Sequence, residues 1–199
     1  MTTDPSYVRD FKAFVRGDLT YDDLPAVETE LYGTNDRARG VLLAAVTENA
    51  LTIFVRHALR EEINSDDRRL LFDQNGPLGT FSTKILVAYA FKLFGPDTRH
   101  DLDLIRLLRN QFAHSRKSFT FEAPVVARVC DHLRSPDAAG AFIPHGYLNS
   151  VPQVELSAAS DKKHPRTRFI MACHIVADRL LRNSRPPMAG DMWPIPGLP

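Results

Sequence analysis

The feature that most constrains this chain is a set of apolar stripes at helical spacing, separated by glycine and proline. The longest stripe begins near residue 36 and continues to about residue 63, with apolar side chains three and four positions apart. Thr34 or Asn35 can cap the first turn. The pattern predicts one long amphipathic helix, whose buried stripe would contain Val41, Leu42, Ala45, Thr52, Val55, Leu59 and Ile63.

Turn and stop signals divide the next part of the chain into two more helices. Asn75-Gly76-Pro77 is a strong turn signal, and it precedes a predicted helix over residues 82–94 with Ser82 as its N-cap. Gly95-Pro96 ends that helix, and Asp97 is expected to cap the next one. The buried stripe of this third helix would contain Leu102, Ile105, Leu108 and Phe112.

The second half of the chain predicts two further helices and two irregular segments. Pro124 opens a helix that we expect to reach about residue 133, and a fifth helix spans roughly residues 166–183. Proline and glycine are frequent in residues 135–165, which predicts an irregular arm. Five prolines among residues 186–199 predict a proline-rich tail. Because only residues 119–121 look strand-like, the fold class is all-α, a bundle of about five main helices.

Length and composition fit a single globular domain, which we place at residues 1–185. The chain has 199 residues, of which 44% are hydrophobic and 25% are charged, as in an ordinary soluble protein. No apolar run approaches the ~20 residues that a membrane helix needs, and the charged first residues do not resemble a signal peptide. These features predict a cytoplasmic protein, in which Cys130 and Cys173 are reduced thiols packed as small hydrophobes.

The formal charge nearly cancels, but it is distributed unevenly. The net charge is +1, which argues against a non-specific grip on nucleic acid over the whole surface. Residues 1–30 hold seven acids against three bases, a net of −4, and residues 161–185 hold seven bases against two acids, a net of +5. Such segments could meet across a subunit interface or within one chain. Solvated helix faces are the plainer interpretation.

No motif indicates a bound metal or cofactor. The sequence contains no GxSxG, HExxH or GxxxxGK[ST] motif. Cys130 and His132 are the only potential metal ligands with suggestive spacing, and residues two positions apart on a helix point to different sides. We therefore expect neither a metal nor a cofactor.

The second and third predicted helices imitate a helix-turn-helix. In a DNA reader, the first turns of the second helix in that pair would enter the major groove. Here those turns carry Asp97, Asp101 and Asp103, which DNA phosphates would repel. Direct, sequence-specific DNA binding is therefore not expected.

The end of the third predicted helix gathers polar residues suited to phosphodiester chemistry. Arg106, Asn110 and His114 follow one another at intervals of four and line one flank, with Arg109 beside Asn110. An imidazole can move a proton near neutral pH, and a guanidinium can hold a phosphate through two hydrogen bonds. No metal is needed if the nucleophile is the ribose 2′-OH of an RNA.

The same residues also have a structural interpretation. Cations in the last turn complement the helix dipole, and Arg106 can pair with Asp103 three residues earlier. Glu48 lies in the middle of the first helix, where it could be a buried partner for Arg106 or Arg109, or could face solvent. A buried carboxylate would need such a partner.

Several segments resemble the mannitol operon repressor family. Residues 70–82 read LLFDQNGPLGTFS, and residues 105–115 read IRLLRNQFAHS. Together with Lys84-Ile85, Ala88-Tyr89-Ala90 and His100-Asp101-Leu102, they place the resemblance at about residues 36–134. It implies an all-helical intracellular regulator without a recognisable DNA-binding motif, which would act through a protein partner.

A shorter resemblance concerns Arg109-x4-His114, which is similar to the RxxxxH motif of the HEPN superfamily. Many HEPN proteins are dimeric ribonucleases, so this resemblance implies a homodimer and an RNA substrate. It implies Arg109 as phosphate holder, His114 as general acid and base, and Asn110 as a polar orienting group. Glu48, Arg106 and Ser115 would then be supporting residues.

Three functional hypotheses follow. The first is a transcriptional regulator that acts through protein partners, the second is a metal-independent HEPN-like ribonuclease, and the third is a non-catalytic helical interaction module. The environment of Arg109 and His114 separates the first two. An open, positive cleft would favour the ribonuclease, whereas an acid such as Glu48 that neutralises Arg109 would oppose it.

Overall fold

The structure is a computed structural model that describes residues 6, 34–59, 62–73, 75–138 and 163–184. Seven helices lie in residues 34–184 of this part: α1 (Asp36–His57), α2 (Ser65–Phe72), α3 (Phe81–Ala90), α4 (Pro96–His114), α5 (Pro124–Asp131), α6 (Ser135–Ala138) and α7 (Pro165–Asn183). These residues form no strand, which confirms the all-α prediction. The acidic N-terminal segment, most of the predicted irregular arm, the proline-rich tail and the domain limits lie outside the described residues.

Helices α1 and α7 form the centre of the bundle. They pack extensively against each other, and α4 contacts both of them. Every residue from 167 to 178 is buried, so α7 is enclosed on all sides. Three phenylalanine rings pack in series in the core: Phe112 lies 4.8 Å from Phe121, and Phe121 lies 5.0 Å from Phe169, between ring centroids. Phe121 belongs to a loop, so the strand-like fragment at residues 119–121 forms no strand.

Helix α1 is shorter than predicted and buries a different face. It ends at His57 rather than near residue 63, and Asn64 caps a separate helix, α2, that the sequence analysis missed. Of the predicted stripe, Leu42 is 47% exposed, whereas its neighbour Leu43 is fully buried. The reason is that the buried face of α1 includes the polar residues Asp36, Arg39 and Thr47, which an apolar pattern does not mark.

Helix α1 contradicts the expectation that no segment is long and apolar enough to cross a membrane. It is the one helix of the described chain that is long and apolar enough to cross a membrane by length and composition, although the sequence analysis found no such segment. Half of its most apolar window is buried inside the protein, against α7 and α4. The core helix of a globular protein meets the same criterion.

Helices α3 and α4 follow each other in the chain and pack together, and their boundaries differ from the prediction. Thr80, not Ser82, caps α3 through a reciprocal capping box with Thr83. The helix ends at Ala90 because Lys92 adopts a left-handed conformation, with φ of 58°. Pro96 occupies the first turn of α4, and Asp97 does not cap it. All four residues predicted for the stripe of α4 are buried, as expected.

Two charged side chains attach α5 and α6 to the bundle. The buried Asp101 of α4 accepts hydrogen bonds from the backbone N–H groups of Arg134 and Ser135 at the start of α6. The buried Arg168 of α7 donates to the backbone carbonyl of Cys130 in the last turn of α5 and to that of Leu133 just after the helix. These contacts add to the burial of Val126, Cys130 and Leu133 in holding the short helices against the bundle.

Candidate functional site

A group of polar side chains, called here the charged cluster, joins three helices around one carboxylate. It consists of Glu48, Lys84, Arg109 and Asn110. Glu48 of α1 accepts a hydrogen bond from Nζ of Lys84 on α3, at 3.0 Å from Oε1. Its other oxygen, Oε2, lies 3.7 Å from Nη2 of Arg109 on α4. Nη1 of Arg109 in turn donates to Oδ1 of Asn110 at 3.1 Å. The structure therefore brings together three predicted site residues and adds Lys84.

Burial makes this ion pairing stronger than an ordinary surface contact. The side chains of Lys84, Glu48 and Arg109 are 9%, 19% and 35% exposed, respectively. Charges that are partly removed from water interact more strongly, and they are costly when left unpaired. Glu48 thus partly neutralises Arg109, the residue that the ribonuclease hypothesis assigns to phosphate binding.

Lys84 was missed by the sequence analysis, although a weak signal was present. It interrupts the apolar residues of α3, where a lysine at a buried helical position calls for a partner. That partner lies 36 residues earlier in the chain, so only the fold identifies it.

Arg106 lies outside the cluster. Its Nη2 is 3.7 Å from Oδ1 of Asp103, the pairing that the structural interpretation proposed. Asp103 also lies 3.8 Å from Arg99, one turn earlier. Of the two alternatives for Glu48, the structure therefore selects Arg109 as its partner and not Arg106.

His114 and Ser115 lie at the C-terminal end of α4, and neither is part of the cluster. His114 is exposed and forms no hydrogen bond or ion pair with any residue of the described chain. Ser115 caps α4, and its hydroxyl accepts from the backbone N–H of Lys117 and donates to the carbonyl of the same residue, both at 3.1 Å. No contact joins the two ends of the Arg109-x4-His114 motif within the described residues.

Both cysteines are unsuited to nucleophilic chemistry. Cys130 and Cys173 are free and buried, as the sequence predicted. Burial, reinforced by the nearby charge of Asp131, raises the pKa of Cys130 to about 12 despite the opposing charge of Arg168. A thiol with that pKa stays protonated at neutral pH, and the thiolate is the reactive form.

A second polar cluster joins the starts of α1 and α7 to the loop before α5. The buried Asp36 accepts from the backbone N–H of Phe121 at 2.9 Å and pairs with Arg166 at 2.8 Å. Glu122 lies 3.6 Å from Arg166 and 3.5 Å from His164. Burial raises the pKa of Glu122, but hydrogen bonds from Thr120 and its own backbone, with these two neighbouring cations, outweigh that effect and lower it below 4.5.

Comparisons with known proteins identify a similar fold. No protein-family model matches the sequence, and no curated protein matches it significantly. Among solved structures, the MtlR–HPr complex from Escherichia coli, determined by X-ray crystallography, contains a chain that is similar with a TM-score of 0.56 and 16% sequence identity. The similarity covers 82% of this chain and 98% of that one. The fold is MtlR-like. It agrees with the fold implied by the sequence resemblance to mannitol operon repressors.

Proposed function

We propose that this chain is a cytoplasmic regulatory protein that acts by binding a protein partner. The observation that carries the proposal is the likeness of its fold to MtlR, which was solved as a complex with another protein, HPr. The likeness extends over nearly the whole of that chain, so it concerns a complete bundle rather than one helical hairpin. A homodimer, implied by the sequence resemblance, belongs to the same proposal.

The acids of α4 support control of transcription through a partner rather than by direct DNA reading. Asp97 and Asp103 are exposed or half-exposed in its first turns and carry ion pairs to neighbouring arginines. Asp101 is buried and holds the start of α6. Acidic side chains and their ion pairs therefore occupy the first turns of α4, where a recognition helix needs contacts to phosphates and base edges.

A metal-independent ribonuclease is the second candidate function. The exposed imidazole of His114, which has no partner within the described residues, favours it. The ion pair between Glu48 and Arg109 opposes it, because a phosphate would have to compete with a carboxylate already held at 3.7 Å. We rank the regulatory function first for this reason.

The test is affinity capture of the full-length protein in its host, with DNA selection in parallel. We expect a reproducible protein partner at near-stoichiometric yield, and no enriched DNA sequence when the purified protein alone is offered genomic fragments. Sedimentation of the purified protein tests the homodimer. Enrichment of a specific DNA sequence by the protein alone, without a protein partner in the host, would contradict the proposal.

A further inference from the structure

Most arginines on α4 and α7 are paired with acids inside the chain. On α4, Asp103 pairs with Arg99 and Arg106, and Glu48 pairs with Arg109. Three arginines of α7 also form ion pairs. The pairs are Arg166–Asp36, Arg168–Asp137 and Arg182–Asp178. Arginines without an acidic partner are therefore the exception on these two helices.

A group of basic side chains lies where the C-terminal end of α4 meets the first turn of α1. It consists of Arg37, His114, Arg116 and Lys117, called here the basic cluster, and all four side chains are exposed. None of them forms an ion pair within the described part of the chain. The nearby acids are already engaged: Asp36 is buried against Arg166 and the backbone of Phe121, and Glu122 lies against Arg166 and His164.

Hydrogen bonds hold the backbone of the basic cluster in place. Nη2 of Arg37 donates to the carbonyl of Ala113 at 3.0 Å, which fixes this side chain across the end of α4. The Ser115 hydroxyl closes the loop through its two bonds to Lys117. Immediately after it, Phe119 packs on Phe112 with ring centroids 4.7 Å apart. A preorganised charged surface loses less conformational entropy on binding than a mobile one.

We propose that the basic cluster is the docking site for an acidic segment of a protein partner. This inference rests on the proposed function and adds a location and a chemistry to it. Two or three carboxylates of one peptide segment can receive charge-assisted hydrogen bonds from the two arginines and the lysine. His114 then contributes to recognition of the partner and has no role in moving a proton.

The dimensions and charge of the basic cluster favour an acidic peptide over a nucleic acid. A single-stranded or duplex nucleic acid is gripped along an extended positive track. The basic cluster covers only the end of α4, the following loop and the first turn of α1, and the whole chain has a net charge of only +1. On its α4 side the cluster gives way to the Glu48 and Asp103 ion pairs, which interrupt any such track.

The test measures binding of a fluorescent octaglutamate peptide to the full-length protein by anisotropy, with a single-stranded RNA octamer as the competing probe. The double variant Arg116→Glu/Lys117→Glu reverses two charges of the basic cluster. The matched control Arg69→Glu/Arg128→Glu makes the same charge change at two exposed arginines elsewhere on the molecule. Circular dichroism establishes that both variants fold.

We expect the peptide to bind the wild type, with affinity that falls as salt is raised. Reversing the two charges should weaken binding on the order of tenfold or more, and the control variant should retain the wild-type affinity. The inference would be overturned by any of three results: an equal loss of peptide affinity in both variants, tighter binding of the RNA than of the peptide, or no binding of the peptide. Capture of one partner equally by wild type and the basic-cluster variant would overturn it and leave the proposed function intact.

Discussion

At the scale of single residues, Glu48 connects three helices through its ion pairs. Its carboxylate forms ion pairs with Lys84 of α3 and Arg109 of α4. The arrangement stabilises the contact of α1 with α3 and α4, and it also reduces the positive charge that Arg109 can offer to a ligand. The same ion pairing therefore explains why these polar residues lie together and argues for a structural role.

Replacing Glu48 with glutamine should lower the free energy of unfolding by about 2–3 kcal/mol, because it leaves the nearly buried Lys84 and the half-buried Arg109 without a counter-charge. Urea denaturation measures the change. The control Asp103→Asn removes exposed ion pairs to Arg99 and Arg106, and it should cost less than about 1 kcal/mol. Equal costs for the two variants would refute the importance given to Glu48.

The backbone of Lys92 is strained, because its φ of 58° lies in the left-handed region, which a residue with a Cβ adopts at a cost. It is the one non-glycine residue with positive φ in the described part of the chain. The backbone N–H groups of Lys92 and Leu93 donate to the carbonyls of Tyr89 and Ala88, which is the Schellman ending that glycine normally completes. Lys92→Gly should stabilise the protein by about 0.5–1 kcal/mol in urea denaturation. Lys92→Ala retains a Cβ and should bring no such gain, so an equal gain from alanine would contradict this explanation.

At the scale of elements, the crossing of α1 and α4 depends on a residue without a side chain. A Cβ at Gly40 would lie 2.5 Å from the Phe112 ring, closer than packed atoms allow. Phe112 also contacts Phe119 and Phe121, so its ring cannot move without disturbing the loop that follows α4. The close approach of these two helices places the start of α1 against the end of α4.

Gly40→Ala should therefore destabilise the protein by about 2–3 kcal/mol through overpacking. In a Phe112→Leu background the added methyl group has more room. The loss of unfolding free energy caused by Gly40→Ala should then be smaller by at least about 1 kcal/mol. A double-mutant cycle in urea measures this coupling. Additive effects of the two substitutions would show that the contact does not limit the approach of the helices.

How well each element could be predicted from the sequence depends on whether its buried face is apolar. The buried face of α4 contains Leu102, Ile105, Leu108 and Phe112, which stand out at helical spacing and were identified correctly. The buried face of α1 also holds the polar residues Asp36, Arg39 and Thr47, whereas the apolar Leu42 is exposed, and this led to the wrong stripe. Within the candidate site, Glu48 was recognised as needing a partner, but Lys84 was not, because no local pattern relates residues on separate helices.

At the scale of the whole molecule, the ends of the central helices are tied together by charge. Asp36, Glu122 and Arg166 connect α1, the loop before α5 and α7. Asp101 of α4 connects to the start of α6, and Arg168 of α7 connects to the last turn of α5, in both cases through backbone hydrogen bonds. The lowered pKa of Glu122 makes the stability of the bundle depend on pH in the acid range, where this carboxylate takes up a proton.

Glu122 provides a specific test of that dependence. Its pKa is lowered in the folded state, so it contributes stability above the ordinary value of 4.5, and this contribution is lost as pH falls through the lowered value. Below about pH 4.5, the free energy of unfolding should fall more steeply for the wild type than for Glu122→Gln. Parallel pH profiles in urea denaturation would contradict the lowered pKa.

The most direct test of the central claim, that the charged cluster is structural and the protein regulates through a partner, is an RNA cleavage assay. Purified wild type and His114→Ala are incubated with mixed cellular RNA in excess EDTA, and the fragments are compared. We expect no cleavage, or equal background cleavage by both proteins, because Arg109 is already held by Glu48 and does not meet His114. Cleavage by the wild type that disappears in His114→Ala would contradict the claim and establish a ribonuclease.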